Sequence, residues 1–155
     1  MSEAQRGVVV ATAGRRVIVR DHPDDGVAER ACFRAGQRAV VGDRVQWVEA
    51  RGEGGKLTEV EDRGNALIRT DDRGREQVLA ANLAGVLVVC AAVEPPFRAG
   101  LLDRYLVAAS VSEIDAHVVV NKLDQGVPAE VDAELAVRAA TGVDVVRVSA
   151  TTGEG

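Results

Sequence analysis

The segment Asn121-Lys122-Leu123-Asp124 has the residue types and spacing to read a purine base. Guanine presents two donors side by side, the ring N1–H and the exocyclic amino group. An ionised carboxylate is acceptor-only and takes both. Adenine presents an acceptor at the corresponding ring position, so the same carboxylate would repel it, and an unpaired buried polar group discriminates strongly. Asp124 is the candidate for that role. Asn121 can hold neighbouring loops through its amide. Lys122 can lay its aliphatic stem along the base face, with its ammonium near a ribose or a phosphate-side loop. Further on, Ser149-Ala150 offers a small residue whose backbone N–H can reach a guanine carbonyl oxygen. These five residues form the candidate guanine-binding set.

Four residues alone are a weak signal, and context strengthens it. Asn121 directly follows the apolar run His117-Val118-Val119-Val120, and Ser149 directly follows Val143 to Val148. A rival reading makes Asp124 the N-cap of a helix over 129–140, but Gly126 and Pro128 intervene and spoil that register. A phosphate-cradling G-x-x-x-x-G-K-[ST] loop is absent from the sequence. Gly55-Lys56 comes nearest, with Ala50 at the first glycine position and Leu57 in place of Ser/Thr, and reads as a hairpin turn. No residue is assigned to catalysis or to a metal. His22 and His117 belong to no catalytic constellation, and His117 reads as structural. Cys32 and Cys90 read as two reduced thiols, and two cysteines without a paired histidine cannot close a zinc site.

The elements that must position these residues alternate. Val86 to Val93 is a continuous apolar run, suited to a parallel strand buried on both faces, and Pro95 and Pro96 end it. Leu101, Leu102, Tyr105, Leu106 and Ala109 fall at helical spacing. A strand over 117–120, a helix over 129–140 stopped by Gly142, and a strand over 143–148 complete β-α-β-α-β, the order of a parallel sheet. Ligands of such sheets bind beyond the carboxyl ends of the strands, where both Asn121-Lys122-Leu123-Asp124 and Ser149-Ala150 emerge.

The first part of the chain has a different period. Residues 7–12, 16–20, 27–33, 45–49 and 57–60 read as five short strands. Ala13-Gly14-Arg15, Val41-Gly42-Asp43-Arg44 and a Gly-rich turn over 51–56 lie among them. A closed barrel of the OB type removes the sheet edges economically, and an SH3-like barrel fits almost as well. Trp47 and Phe33, the only aromatics there, are expected in its core. Arg15, Arg16, Arg20, Arg34, Arg38 and Arg44 are candidates for RNA phosphate contacts, with Asp21, Asp24, Asp25 and Glu29 as balancing charges. The expected organisation is a barrel over 1–65, a linker or bridging strand pair over 66–80, and the α/β part over 81–155. Charge follows that division. Residues 1–80 hold 14 basic and 14 acidic side chains, and residues 81–155 hold 5 and 10, which carries the whole net charge of −5. No apolar run reaches membrane-spanning length, and Met1 to Arg6 lacks the pattern of a signal peptide, so a cytoplasmic protein is expected.

The chain resembles the circularly permuted ribosome small subunit-dependent GTPase A family over essentially its whole length. The carriers are Arg6-Gly7-Val8-Val9, Val41-Gly42-Asp43-Arg44-Val45, Ala80-Ala81-Asn82, Leu102-Asp103-Arg104-Tyr105-Leu106, Val119-Val120-Asn121-Lys122-Leu123-Asp124, and Val148-Ser149-Ala150-Thr151-Thr152-Gly153-Glu154-Gly155. Ala84 and Gln125 depart from the family pattern without touching a base-contacting position. The resemblance implies an OB-type barrel followed by an incomplete, circularly permuted α/β domain of the P-loop GTPase kind, whose base-reading motifs precede its phosphate loop. It implies GTP or GDP with Mg2+ in the parent protein, and zinc only in a C-terminal region outside these 155 residues. It further implies a monomeric factor in late maturation of the small (30S) ribosomal subunit. Its barrel would contact ribosomal RNA and its GTP hydrolysis would be stimulated by the subunit. These 155 residues then read as a fragment, inactive alone, with exposed sheet edges that favour aggregation. The alternative is an RNA-binding OB-fold module with a degenerate, non-catalytic α/β remnant.

Overall fold

The computed structural model describes residues 3–21, 28–50 and 54–155. The chain forms two compact units, Met1–Leu83 and Ala84–Gly155.

In the first unit, strands β1 (Gln5–Ala13), β2 (Arg16–Asp21), β3 (Glu29–Phe33), β4 (Arg44–Glu49) and β5 (Gly55–Val60) close a barrel in the order β1-β2-β3-β5-β4. Strand β1 pairs antiparallel with both β2 and β4, and β3 runs parallel to β5. That order is the OB arrangement, so the SH3-like option falls away. Alternation along the strands turns Val9, Val17, Val19, Cys32, Val45, Trp47 and Leu57 inward. Gly55 is required by this packing. A Cβ there would lie 2.6 Å from both Cys32 Sγ and the Trp47 ring. Trp47 is fully buried as expected. Phe33 is not, and the expectation of a core Phe33 is corrected: at 43% exposure it lies on the outside of the barrel. Its neighbour Cys32 takes the inward position, and strand periodicity sends residue 33 outward.

The Gly-rich stretch is also revised, since Gly55 and Lys56 open β5 rather than forming a turn. Residues 51–53 lie outside the described residues, as do His22, Asp24, Asp25 and the start of the expected third strand. Residues 66–80 fall in an antiparallel hairpin, β6 (Ala66–Thr70) and β7 (Glu76–Ala81). Asp71 Oδ1 accepts the N–H groups of Arg73 and Arg75 at its turn. The strand end at Ala80 bridges to Val41, and Asn82 Nδ2 donates to the Gly42 carbonyl at 2.9 Å. Gly42 has φ +89, and a Cβ there would overlap the Ala81 carbonyl oxygen. Only glycine admits that backbone approach. Next to it, fully buried Asp43 accepts from Arg63 Nε (2.7 Å), Arg63 NH2 (2.9 Å) and Val40 N–H (2.8 Å). Two stretches singled out in the sequence, 41–45 and 80–82, are therefore one junction.

In the second unit, β8 (Val86–Ala91), α1 (Ala99–Val111), β9 (Ala116–Asn121), α2 (Ala129–Ala140) and β10 (Asp144–Arg147) make a parallel sheet of order β10-β9-β8. Leu102 of α1 and Val131 and Leu135 of α2 pack on Val88, Val118 and Val120. The expectation that 86–93 is buried on both faces is corrected. The strand is shorter, and Leu87 and Val89 are 67% and 63% exposed. Both helices pack on one face of the sheet, so alternation leaves these two side chains on the other. In α1, Leu102 and Ala109 are buried, whereas Leu101 and Tyr105, placed on the same stripe by spacing, are exposed. Glu130 and Asp132 in the first turn of α2 and Arg138 in the last complement its dipole. Cys32 and Cys90 are free thiols, and burial raises the pKa of both.

Candidate functional site

The carboxyl ends of β9 and β10 lie side by side because the strands are parallel and in register from Asp144/His117 to Arg147/Val120. Asn121 ends β9. Lys122 then takes a left-handed backbone, φ +69 and ψ 40, and Leu123–Gln125 form one 3-10 turn. A non-glycine residue in that region costs about 1–2 kcal/mol and is typical of sites where a side chain must be re-aimed. Two backbone bonds bind the loop to its neighbour, Val148 N–H to Val120 O (2.9 Å) and Leu123 N–H to Val148 O (3.2 Å).

Side chains complete the arrangement. Asn121 Oδ1 accepts from Lys122 N–H (2.7 Å) and from Ala150 N–H (3.0 Å). Its amide holds the two loops together, the role the sequence suggested. The sequence reading gave the Ala150 N–H to a guanine carbonyl oxygen; here its acceptor is Asn121. Ser149, 1% exposed, donates from Oγ to Asp124 Oδ1 at 2.5 Å and accepts from Thr152 N–H at 3.3 Å. That bond occupies one carboxylate oxygen and leaves Oδ2 of the exposed Asp124 for a ligand. Lys122 Nζ donates to the Glu94 carbonyl oxygen at 2.5 Å, which draws in the loop after β8. Three loops at the carboxyl edge thus converge on Asn121, Lys122, Asp124, Ser149 and Ala150. The rival helix-capping role of Asp124 is absent: Pro128 occupies the N-cap of α2, and no side chain caps it.

Sequence reasoning also missed a side-chain network that ties α2 to α1 at the other end of the sheet. Arg138 is buried and donates to both oxygens of Asp103 (2.8 and 2.9 Å) and to Glu134 Oε2 (2.7 Å). These hydrogen bonds, Asp103 foremost, raise the Arg138 pKa. Glu134 lies four residues before Arg138, a helical pairing legible in sequence; Asp103 comes from α1 and is not.

The six barrel arginines do not form one patch. Arg16 places its guanidinium 4.6 Å from the Phe33 ring centroid. Arg15 is adjacent, and its carbonyl accepts the Arg34 N–H at 3.1 Å. Arg20 is paired with Glu29 at 2.7 Å. Arg38 presents its carbonyl to Arg63, and Arg44 lies on β4, remote in register from Phe33. Arg16 therefore covers an exposed aromatic, a pairing the sequence did not single out, and Arg15 and Arg34 adjoin that pair in the chain. Among the described residues no three His, Cys, Asp or Glu side chains converge on a metal-sized site.

Residues 60–155 match the RsgA GTPase family model. The chain belongs to the RsgA GTPase family. Similar proteins include the small ribosomal subunit biogenesis GTPase RsgA of Paraburkholderia phytofirmans, 43% identical over 120 residues, covering 76% of this chain and 37% of that protein. The protein of the same name from Burkholderia pseudomallei strain K96243 is 38% identical over 150 residues, 95% of this chain and 46% of its own length. The chain thus spans less than half the length of these two RsgA relatives. Among solved structures, YjeQ from Thermotoga maritima superposes with a TM-score of 0.74 at 24% identity, covering 99% of this chain and 54% of that one. YloQ, described as a circularly permuted GTPase, gives 0.69 at 24% identity, covering 96% and 53%. Those two likenesses establish a shared fold.

Proposed function

We propose that this chain supplies the base-reading part of a GTPase acting in maturation of the small ribosomal subunit, with its barrel as the ribosomal RNA contact. The observation that carries the reading is the held carboxylate. Asp124 is fixed by Ser149 on one oxygen and presents the other at a ligand-binding sheet edge, beside Asn121 and Lys122. Guanine offers its side-by-side N1–H and amino group to the carboxylate, whose Oδ1 keeps a second lone pair beside the Ser149 bond. Family membership favours GTP as the nucleotide, and the names of the relatives favour the small subunit as the partner; stimulation of hydrolysis by that subunit is part of the proposal.

Phosphoryl transfer relies on positioning and on charge stabilisation around the phosphates. The sequence holds no G-x-x-x-x-G-K-[ST] loop of the kind that cradles phosphates. The chain's own contribution is to bind and orient the base. The deciding experiment compares GDP, ADP and XDP binding to the full-length protein and to Asp124→Asn. Wild type prefers GDP. Asp124→Asn moves the preference toward XDP, because xanthine has an oxygen where guanine has its amino group. An unchanged order of affinities would remove Asp124 from the base site. The 155 residues alone are expected to hydrolyse no GTP, and measurable turnover by them would overturn that part of the reading.

A further inference from the structure

A cleft of about 840 Å³ opens between α1 and α2 at the amino edge of the sheet, the end of β9 opposite Asn121. Its floor is apolar, made by Leu106, Ile114 and Val143. At its lips Val107 of α1 and Val137 of α2 are 60% and 64% exposed, on helix surfaces where solvent alone would favour polar residues. The volume lies within the range of ligand-sized clefts, about 300–1,000 Å³, which is room for several side chains.

The charge around this cleft is predominantly negative, with Asp103, Glu113, Asp115 and Glu134 against one cation. Arg138 is its only lining cation, and its donors are taken up by Asp103 and Glu134. Glu113 and Asp115 have no ion-pair partner among the described residues. Glu113 is the informative one. It follows the C-cap Ser112 of α1 in a left-handed conformation, φ +54, where glycine is the ordinary choice. It also sets a carboxylate at the negative end of the helix dipole, and α1 carries no basic residue in its last turn. Both features cost stability. The fold gains nothing from a glutamate there, whereas a cationic partner would.

We propose that the α1–α2 cleft is a docking groove for a basic amphipathic helix of a partner protein. Its apolar side chains rest on Leu106, Ile114 and Val143, and its lysines or arginines face Glu113 and Asp115. This is helix-in-groove recognition with electrostatic complementarity, and it stands apart from the guanine-reading assignment.

The test immobilises the 155-residue chain sparsely on a biosensor surface. The probe is a 14-residue Leu/Lys peptide with leucines at helical spacing, alongside a scrambled isomer of the same composition. The amphipathic peptide is expected to bind at least about tenfold more tightly than its isomer. Glu113→Gln/Asp115→Asn and Val137→Asp are each expected to lose about tenfold, the former with a weaker salt dependence. Glu113→Gly separates binding from folding: it relieves the left-handed position, so it is expected to be at least as stable as the parent while binding more weakly. Equal affinity for the two isomers, no binding, or affinity unchanged in all three variants would overturn the proposal. So would self-association abolished by Val137→Asp with peptide binding intact, since that assigns the groove to a second copy of the chain.

Discussion

Ser149 Oγ donates to Asp124 Oδ1 at 2.5 Å across 25 residues of sequence, joining the ends of two parallel strands through one buried hydroxyl. A hydrogen bond to a charged group contributes about 1.5–3 kcal/mol. Ser149→Ala in the full-length protein is therefore expected to weaken GDP binding by about tenfold and to leave ADP binding unchanged. Titration calorimetry with both nucleotides reads the difference, and equal losses for both would show a general collapse of the loop.

Asp43 and Arg63 form the one ion pair of the barrel unit with a fully buried carboxylate among the described residues. Leaving a buried charge without its partner costs about 3–5 kcal/mol, so Arg63→Ala, which strips the buried Asp43 carboxylate of its cation, is expected to lower barrel stability by about that amount. Trp47 is the only tryptophan and lies in the barrel core, so its fluorescence during denaturant unfolding reports this unit alone. A midpoint shift smaller than that of a surface substitution such as Arg44→Ala would contradict the assignment.

Phe33 and Arg16 stack on the outside of the barrel. Base–aromatic stacking contributes about 1–3 kcal/mol per base. Phe33→Ala is therefore expected to weaken binding of a labelled single-stranded RNA by about tenfold or more, measured by fluorescence anisotropy. Arg20, already paired with Glu29, is expected to matter less when changed to Ala. The reverse order would move the RNA contact elsewhere.

Burial raises the Cys32 thiol above its ordinary 9.0, and Cys90 likewise. Ionised thiolate is thus disfavoured in the fold relative to the unfolded chain. Their contribution to stability is whole below the ordinary thiol value and declines as pH rises toward the raised folded values. Denaturant midpoints are expected to fall through that alkaline window, and by less in Cys32→Ala/Cys90→Ala. At neutral pH both thiols should react with iodoacetamide more slowly than free cysteine.

Leu87 and Val89 stand on a bare sheet face. Exposed apolar strand surface favours association. Leu87→Lys/Val89→Thr is expected to lower the scattering of concentrated solutions of the 155 residues, and light scattering identical to the parent would place the sticky surface elsewhere.

Much was legible in the sequence because it is local. Alternation marked the barrel strands, early acidic residues with a late Arg138 and the stop at Gly142 marked the helix over 129–140, and the Asn121 to Asp124 motif carried its own hydrogen-bond logic. Phe33 was misplaced because its type argued for burial while its register, set by pairing with Arg16, turned it outward. The burial of 86–93 was misjudged because an apolar run does not say how many faces of a sheet are covered.

By itself the sequence determined most of the order of elements and the chemical identity of the candidate base-reading groups, since propensity, periodicity and side-chain chemistry act over a few residues. Only the tertiary structure decided that Ser149 holds Asp124, that Asn121 clamps Ala150, that Arg138 binds Asp103, and that Gly42 meets Ala81. Each of those contacts links residues at least 25 positions apart, and such pairs meet only once strand register and helix packing have brought their backbones together.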